Sequence, residues 1–113
     1  MGIKIHEQRH GAVSVLKPAG PLAQADAAEF KALALRTIDA CLGRFVVDLS
    51  ATPYVDSNAL EALLELTEQL SASGQVLKLC AVNKTVREVF HLTGMASMFE
   101  HYDDVNTGVR SFL

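Results

Sequence analysis

The sequence predicts a single α/β domain, with a mixed, mainly parallel sheet of four to five strands and about four helices in the order ββαβαβαβα. Two observations lead to this prediction. Short apolar segments alternate with segments whose apolar residues recur every three or four positions, and the central strand, Phe45–Leu49, is apolar on both sides of the chain. Such alternation implies parallel pairing through right-handed crossovers. The 113 residues contain no internal repeat or linker, so we expect one domain over residues 1–113.

The first half of the chain is expected to contain a hairpin and a long helix before the central strand. Ile3–Gln8 alternates apolar and polar residues, and Ala12–Pro18 follows a glycine turn, so these strands should pair with one face of each in solvent. A helix is predicted over Gln24–Leu42, ended by Gly43 in the left-handed conformation. Its buried stripe should consist of Ala27, Phe30, Ala34, Ile38 and Cys41.

The second half continues the alternation of helix and strand. Caps, glycine stops and apolar spacing predict its boundaries. The predicted elements are a helix from Asp56-Ser57-Asn58 to Leu70, a strand over Gln75–Ala81, a short helix capped by Asn83 and ended by Gly94, a strand over Met98–Tyr102, and a helix from Asp103-Asp104 to Phe112.

The start of the second helix has two explanations. Ser, Asp and Asn are preferred N-cap residues, because their side-chain oxygens accept hydrogen bonds from free backbone N–H groups. Asn58 with Glu61 three residues later resembles a capping box, which would make Asn58 the cap and Ser57 the residue before it. Alternatively, Ser57 is a phosphate acceptor, since the positive end of a helix tolerates added negative charge. The residue types alone leave both explanations open.

Three segments resemble the STAS domain of bacterial anti-sigma-factor antagonists. The segment VVDLS, followed by YVDSNAL and an apolar helix, matches one motif of that family, and CAVNKTVREVFHLTGM matches a second. With AGPLAQADAAEF near the front, the likeness spans essentially the whole chain. The resemblance implies a single STAS domain. It also implies that a partner kinase phosphorylates the serine directly after the aspartate, here Ser57 after Asp56.

The resemblance implies a regulatory function as well. The chain is expected to bind an anti-sigma factor with serine kinase activity, to be released when Ser57 is phosphorylated, and to be restored by a serine phosphatase. Asp56 would hold the loop and position the serine hydroxyl. The implied partner-binding residues are Asp56, Ser57, Asn58, Ala59, Glu61, Leu22 and Asp26.

Two departures from the family pattern support an alternative. Asn58-Ala59-Leu60-Glu61 stands where the family has Ser/Thr-Gly-Leu-Gly, so two glycines that let a partner backbone come close are replaced. Gly20-Pro21-Leu22-Ala23 stands where the family has Gly-Glu-hydrophobic-Asp, unless Asp26 supplies the missing acid one turn later. The alternative is a STAS interaction subunit that is not phosphorylated and that belongs to a membrane transport complex or another signalling complex.

Composition and motif content argue against several other classes. A net charge of −3 without a basic stripe disfavours a nucleic-acid binder. No apolar run approaches the ~20 residues of a membrane span, and the first ten residues lack the apolar region of a signal peptide. We therefore expect a cytoplasmic protein, a monomer or weak dimer, without membrane insertion.

The sequence shows no converging groups for catalysis. The histidines are dispersed, and no glycine-rich phosphate loop is found, so we expect no enzyme, no metal and no cofactor. Cys41 and Cys80 lie far apart and are expected to be buried, reduced thiols. A nucleotide-binding role rests only on the general habit of open α/β sheets to bind ligands at the carboxyl ends of strands.

Overall fold

One five-stranded sheet and four α-helices make up the computed structural model of the chain, which describes residues 2–113. This confirms the predicted order ββαβαβαβα. The strands are β1 (Lys4–His10), β2 (Val13–Ala19), β3 (Phe45–Asp48), β4 (Leu77–Cys80) and β5 (Phe99–Tyr102). The helices are α1 (Ala25–Ala40), α2 (Ser57–Ser71), α3 (Lys84–Leu92) and α4 (Val105–Arg110), and a 3₁₀ turn over Ala96–Met98 precedes β5.

The strands follow each other across the sheet in chain order. β1 is antiparallel to β2, and every later neighbour is parallel. Since each right-handed crossover then moves one place in the same direction, α1, α2 and α3 must cover the same face. Their buried side chains, among them Phe30, Leu63 and Phe90, form one core cluster with Phe45 and Val47 of β3.

The predicted buried stripe of α1 is confirmed, with one residue added. Ala27, Phe30, Ala34, Ile38 and Cys41 are all buried, and so is Thr37. The Thr37 hydroxyl is not left without a partner, because it donates to the carbonyl oxygen of Leu33 at 2.8 Å. A polar residue can therefore lie on the inner stripe of this helix.

The second face of the sheet differs from the sequence prediction. β2 was expected to have one face in solvent, yet Val13 and Val15 are buried with Val46 of β3 and Cys80 of β4. The cover is α4 and the residues around it, with Val105, Val109 and Phe112 packed against this second cluster. The prediction was wrong for β2, because the last helix folds back over the face of the sheet that the crossover helices leave open.

Lys78 lies on β4 beneath α4, and its ammonium group has hydrogen-bonding and charged partners near that helix. The residue is only 9% exposed. Its ammonium donates to Ser111 Oγ at 2.7 Å, lies 3.4 Å from a carboxylate oxygen of Glu100, and sits 4.1 Å from the ring centre of Phe112. Because a buried charge is tolerated when it is paired and hydrogen-bonded, this lysine helps to attach α4 to the sheet.

Gly108 of α4 lies against Cys80 of the sheet. A Cβ added at Gly108 would lie 2.5 Å from Cys80 Sγ, so only glycine fits without displacement. Both cysteines are free and buried, as predicted. Burial, followed by the charge of Asp48, raises the pKa of the Cys80 thiol to about 12. Cys80 is therefore a neutral core side chain near neutral pH, with little thiolate for chemistry.

Gly108→Ala is expected to lower the free energy of unfolding by about 1–3 kcal/mol, because the new methyl must displace Cys80 or shift α4. Helix propensity alone would give the opposite sign by about 1 kcal/mol. Urea unfolding followed by circular dichroism measures the difference. Asn106→Ala, exposed in the same helix, is the matched control and should change stability by less than about 0.5 kcal/mol. An unchanged or higher stability for Gly108→Ala contradicts the packing described.

Candidate functional site

The segment from β3 to α2 leaves the sheet through a turn with its polar groups satisfied. Asp48 Oδ1 accepts a hydrogen bond from the Ser50 amide at 2.9 Å. Thr52 is 1% exposed, and its hydroxyl donates to the Pro18 carbonyl oxygen at 3.3 Å. Since buried polar groups need such partners, the turn is held against the end of β2 in a defined position.

The loop before α1 pairs with the segment before α2. The Gly20 amide donates to the Ala51 carbonyl oxygen at 3.0 Å. The Leu22 amide donates to the Tyr54 carbonyl oxygen at 3.2 Å, and the Asp56 amide donates to the Leu22 carbonyl oxygen at 3.1 Å. Leu22 and Val55 form an isolated parallel bridge. The carboxyl ends of β2 and β3 therefore continue together beyond the sheet, and the starts of α1 and α2 are brought side by side.

Asp56 joins the two helix starts through its side chain. Oδ1 accepts from the Ala59 amide at 3.1 Å, which makes Asp56 the N-cap of α2. Oδ2 accepts from the Gln24 amide at 2.9 Å and from Asn58 Nδ2 at 3.4 Å. Gln24 is the residue before α1 and has φ of 53°, a conformation that costs energy for a side chain other than glycine. One carboxylate thus caps α2 and holds the residue that starts α1.

Neither Ser57 nor Asn58 is the cap, and the proposed capping box is wrong. Asp56 has the extended backbone typical of an N-cap residue, with φ of −111° and ψ of −174°. Helix α2 begins at Ser57, so its third residue is Ala59, and Glu61 lies too far along the helix for the reciprocal bond. The prediction failed because Asp and Asn cap equally well, and only the backbone conformation separates them.

The structure divides the predicted partner-binding residues into surface and core. Ser57, Asn58 and Glu61 are exposed, and Asp26 and Asp56 are partly exposed. Ala59 and Leu22 are each 1% exposed, so neither can contact a partner, and that part of the prediction is corrected. Both belong to the core cluster beneath the surface, Ala59 on the inner stripe of α2 and Leu22 in the paired loop.

Tyr54 is an exposed aromatic residue that the sequence prediction missed. It is 51% exposed, whereas Val55 next to it is 8% exposed. The sequence could have indicated this exposure, because successive side chains of an extended segment such as Tyr54 and Val55 point to opposite sides. We call Asp26, Tyr54, Asp56, Ser57, Asn58 and Glu61 the switch surface.

The groove next to this surface is small and polar. It has a volume of ≈ 130 Å³ and lies between the starts of α1 and α2, where Lys31, Asn58, Glu61 and Glu65 line it. Lys31 of α1 is paired with Glu65 of α2 at 2.7 Å. Ligand pockets usually measure about 300–1,000 Å³, so this shape suits contact with a protein surface better than enclosure of a small molecule.

The carboxylate of Asp56 is held in its charged form. Burial disfavours the charge, but hydrogen bonds from the amides of Gln24 and Ala59 and from Asn58 together outweigh that effect and lower the pKa below the ordinary 3.8. Because the folded pKa is depressed, the contribution to stability is present above the unfolded value and is lost as pH falls through the folded pKa. The loss is therefore expected in acid, below about pH 4.

Carbon-detected NMR titration should give a midpoint for the Asp56 carboxyl below 3.8, with the amide shifts of Gln24 and Ala59 moving in parallel. Asp56→Ala should remove both amide transitions and lower the free energy of unfolding by about 0.5–2 kcal/mol, the usual effect of losing an N-cap. Asp39→Asn, an exposed change on α1, is the control and should preserve both. A Gln24 amide that does not follow Asp56 would show that the two helix starts are not joined through this carboxylate.

The described residues form neither a metal cluster nor a membrane-spanning helix. Residues 2–113 contain no group of three or more His, Cys, Asp or Glu side chains placed to hold a metal ion. Within the same range, no helix has the length and apolar character needed to cross a membrane.

Comparison with known proteins gives consistent relatives. The protein named "Putative anti-sigma factor antagonist BtrV" from Bordetella bronchiseptica is 32% identical over 80 residues, which are 71% of this chain and 69% of that protein. The crystal structure of "a putative anti-sigma factor antagonist (tm1081)" from Thermotoga maritima superposes with a TM-score of 0.87 at 21% identity, covering 95% of this chain and 92% of that one.

A third likeness is to the Bacillus cell fate determinant SpoIIAA in its phosphorylated form, with a TM-score of 0.73 at 15% identity, covering 97% of this chain and 100% of that one. At these identities the solved structures establish the shared fold. The family model described as "STAS domain" matches residues 4–108. Together with the Bordetella relative, this match shows that the chain belongs to the STAS domain family.

Proposed function

We propose that the chain is an anti-sigma factor antagonist that binds an anti-sigma factor with serine kinase activity through the switch surface and is released by phosphorylation of Ser57. A serine phosphatase then restores the binding form, and the chain is acted upon rather than acting as an enzyme. The observation that carries the proposal is the exposed Ser57 at the first position of α2. The name of the Bordetella relative and the phosphorylated form of SpoIIAA support it.

The different roles of Asp56 and Ser57 at the start of α2 leave the Ser57 hydroxyl available for phosphorylation. Asp56 supplies the cap of α2, so Ser57 is not needed for that structural role. No side-chain hydrogen bond ties the Ser57 hydroxyl to another residue in the described range 2–113. A hydroxyl that is exposed and not engaged in the fold can enter a kinase active site without unfolding of α2.

A phosphate on Ser57 would be compatible with the fold and unfavourable for the complex. It adds about −1.5 to −2 charges, and the amino end of the 15-residue helix α2 stabilises negative charge. The same charge would lie beside the carboxylate of Asp56 and on the same surface as Glu61. Repulsion and desolvation across the docking face would then weaken binding, and a coupling of about 1–3 kcal/mol changes affinity by about 5- to 150-fold.

The departures from the family pattern affect the surface unequally. Ala59, which replaces a glycine of the family motif, is 1% exposed and faces the core, so it does not obstruct a partner. Glu61 replaces the second glycine and is exposed, so it adds a bulky negative charge to the docking face. We therefore expect a partner that fits this surface to carry a basic side chain opposite Glu61. In family members with glycine at this position, the backbone of the partner can come close instead.

Incubation with the cognate kinase and ATP is expected to place one phosphate on Ser57, seen by mass spectrometry and abolished in Ser57→Ala. Ser57→Asp should weaken binding to the kinase by about 5- to 150-fold in calorimetry, because it adds charge at the same place. Ser71→Asp, at the far end of the same helix, is the control and should bind normally. An unmodified Ser57 together with normal affinity of Ser57→Asp would favour the alternative, a STAS subunit that binds without switching.

Tyr54→Ala is expected to weaken the complex with the kinase about tenfold or more, since half-exposed aromatic residues next to a docking site are typical anchors. Leu42→Ala is the matched control. Leu42 is 74% exposed but precedes β3, whereas Tyr54 follows it, so the two lie beyond opposite ends of that strand. Equal losses in both variants would show that Tyr54 is not part of the docking face.

A further inference from the structure

A pocket of ≈ 660 Å³ lies between α3, the 3₁₀ turn and β5. Arg87 and His91 of α3, His101 of β5 and Asp103 after it contribute its polar groups, and Gly94 and Ala96 contribute small residues that leave space. None of these residues belongs to the switch surface. The volume falls within the range of about 300–1,000 Å³ that is usual for small-molecule sites.

The pocket gathers one arginine and two histidines. Arg87 and His91 are four residues apart on α3 and therefore share a face of that helix. Among the described residues, the ion pairs within 4.0 Å are Lys31–Glu65 and Lys78–Glu100, so Arg87 has no carboxylate partner. Its Nη2 donates to the Val82 carbonyl oxygen at 3.4 Å, which leaves the other guanidinium N–H groups for a ligand. Asp103, the acid in the wall, does not come within that distance of Arg87, His91 or His101 in the described chain.

His101 is held in a defined orientation. Its Nε2 lies 2.9 Å from the carbonyl oxygen of Ala96, and since a carbonyl only accepts, Nε2 carries the proton. The ring centre lies 6.2 Å from those of Phe90 and Phe99, which themselves pack edge to face at 5.1 Å. An aromatic cluster therefore fixes the imidazole next to the cavity.

We propose that this pocket is a second binding site, for a small organic anion whose carboxylate or phosphate group is held by Arg87 and His91, with the ring of His101 forming part of the wall. The apolar part of the ligand would lie against the Gly94–Ala96 segment. Arginine presents several donors in a planar fork that suits such head groups. Four titratable or charged side chains line the pocket, namely Arg87 and His91 from α3, His101 from β5, and Asp103, whose negative charge opposes anion binding.

NMR titration of the ¹⁵N-labelled chain with benzoate at pH 7 tests the proposal. We expect shift changes centred on residues 87–103, because the carboxylate would bind beside Arg87 and His91. Phenyl phosphate at pH 7 compares the two head groups, and benzyl alcohol is the neutral control. Neutral binding as tight as benzoate binding would overturn the proposal, as would shift changes centred on residues 54–61.

Arg87→Gln is expected to weaken benzoate binding about tenfold. Arg36→Gln is the matched control, since Arg36 is an exposed arginine on α1 outside the pocket. His91→Gln is a second variant, which should also weaken benzoate binding while the fold, checked in the same spectra, is unchanged. Unaltered affinity in Arg87→Gln, or an equal loss in Arg36→Gln, would overturn the assignment.

Discussion

The carboxylate of Asp56 is the contact on which the geometry of the switch surface depends. One of its oxygens receives the Ala59 amide and starts α2, and the other receives the Gln24 amide and holds the residue from which α1 begins. Gln24 is in the left-handed region, where its backbone needs outside support. Because capping is carried out by the neighbouring aspartate, Ser57 is left to face solvent at the same helix end. A phosphate on Ser57, as proposed above, would thus lie beside the carboxylate that joins both helix starts.

The sheet supplies the rigid base for this arrangement. β3 is buried along its whole length, between the layer of α1, α2 and α3 on one face and α4 on the other. Close packing on both faces leaves little room for the strand ends to shift. The loops that extend β2 and β3 are paired by backbone hydrogen bonds, so the surface is built on elements that keep its residues in register.

Much of the fold could be predicted from local patterns, and the rest depends on contacts between distant residues. The stripe of α1 follows from helical periodicity, and the family motifs indicate the position of Ser57. The cap could not be assigned, because Asp56 and Asn58 are equally suitable residues, and Ala59 was placed on the surface although it turns inward. The pairing of Leu22 with Val55 and the cover that α4 gives β2 join segments far apart in sequence, as does the carboxylate contact to Gln24.

The short helix α4 has a consequence for the solubility of the molecule. Six helical residues, with Phe112 just beyond them, shield a strip of valines that runs across β2 and β3. If the helix were removed, this face of β2 and β3 would be exposed to solvent. Exposed apolar patches of this kind promote self-association. Any partner, fusion or truncation that displaces this helix would therefore expose the valines and favour aggregation, although the switch surface itself had not been changed.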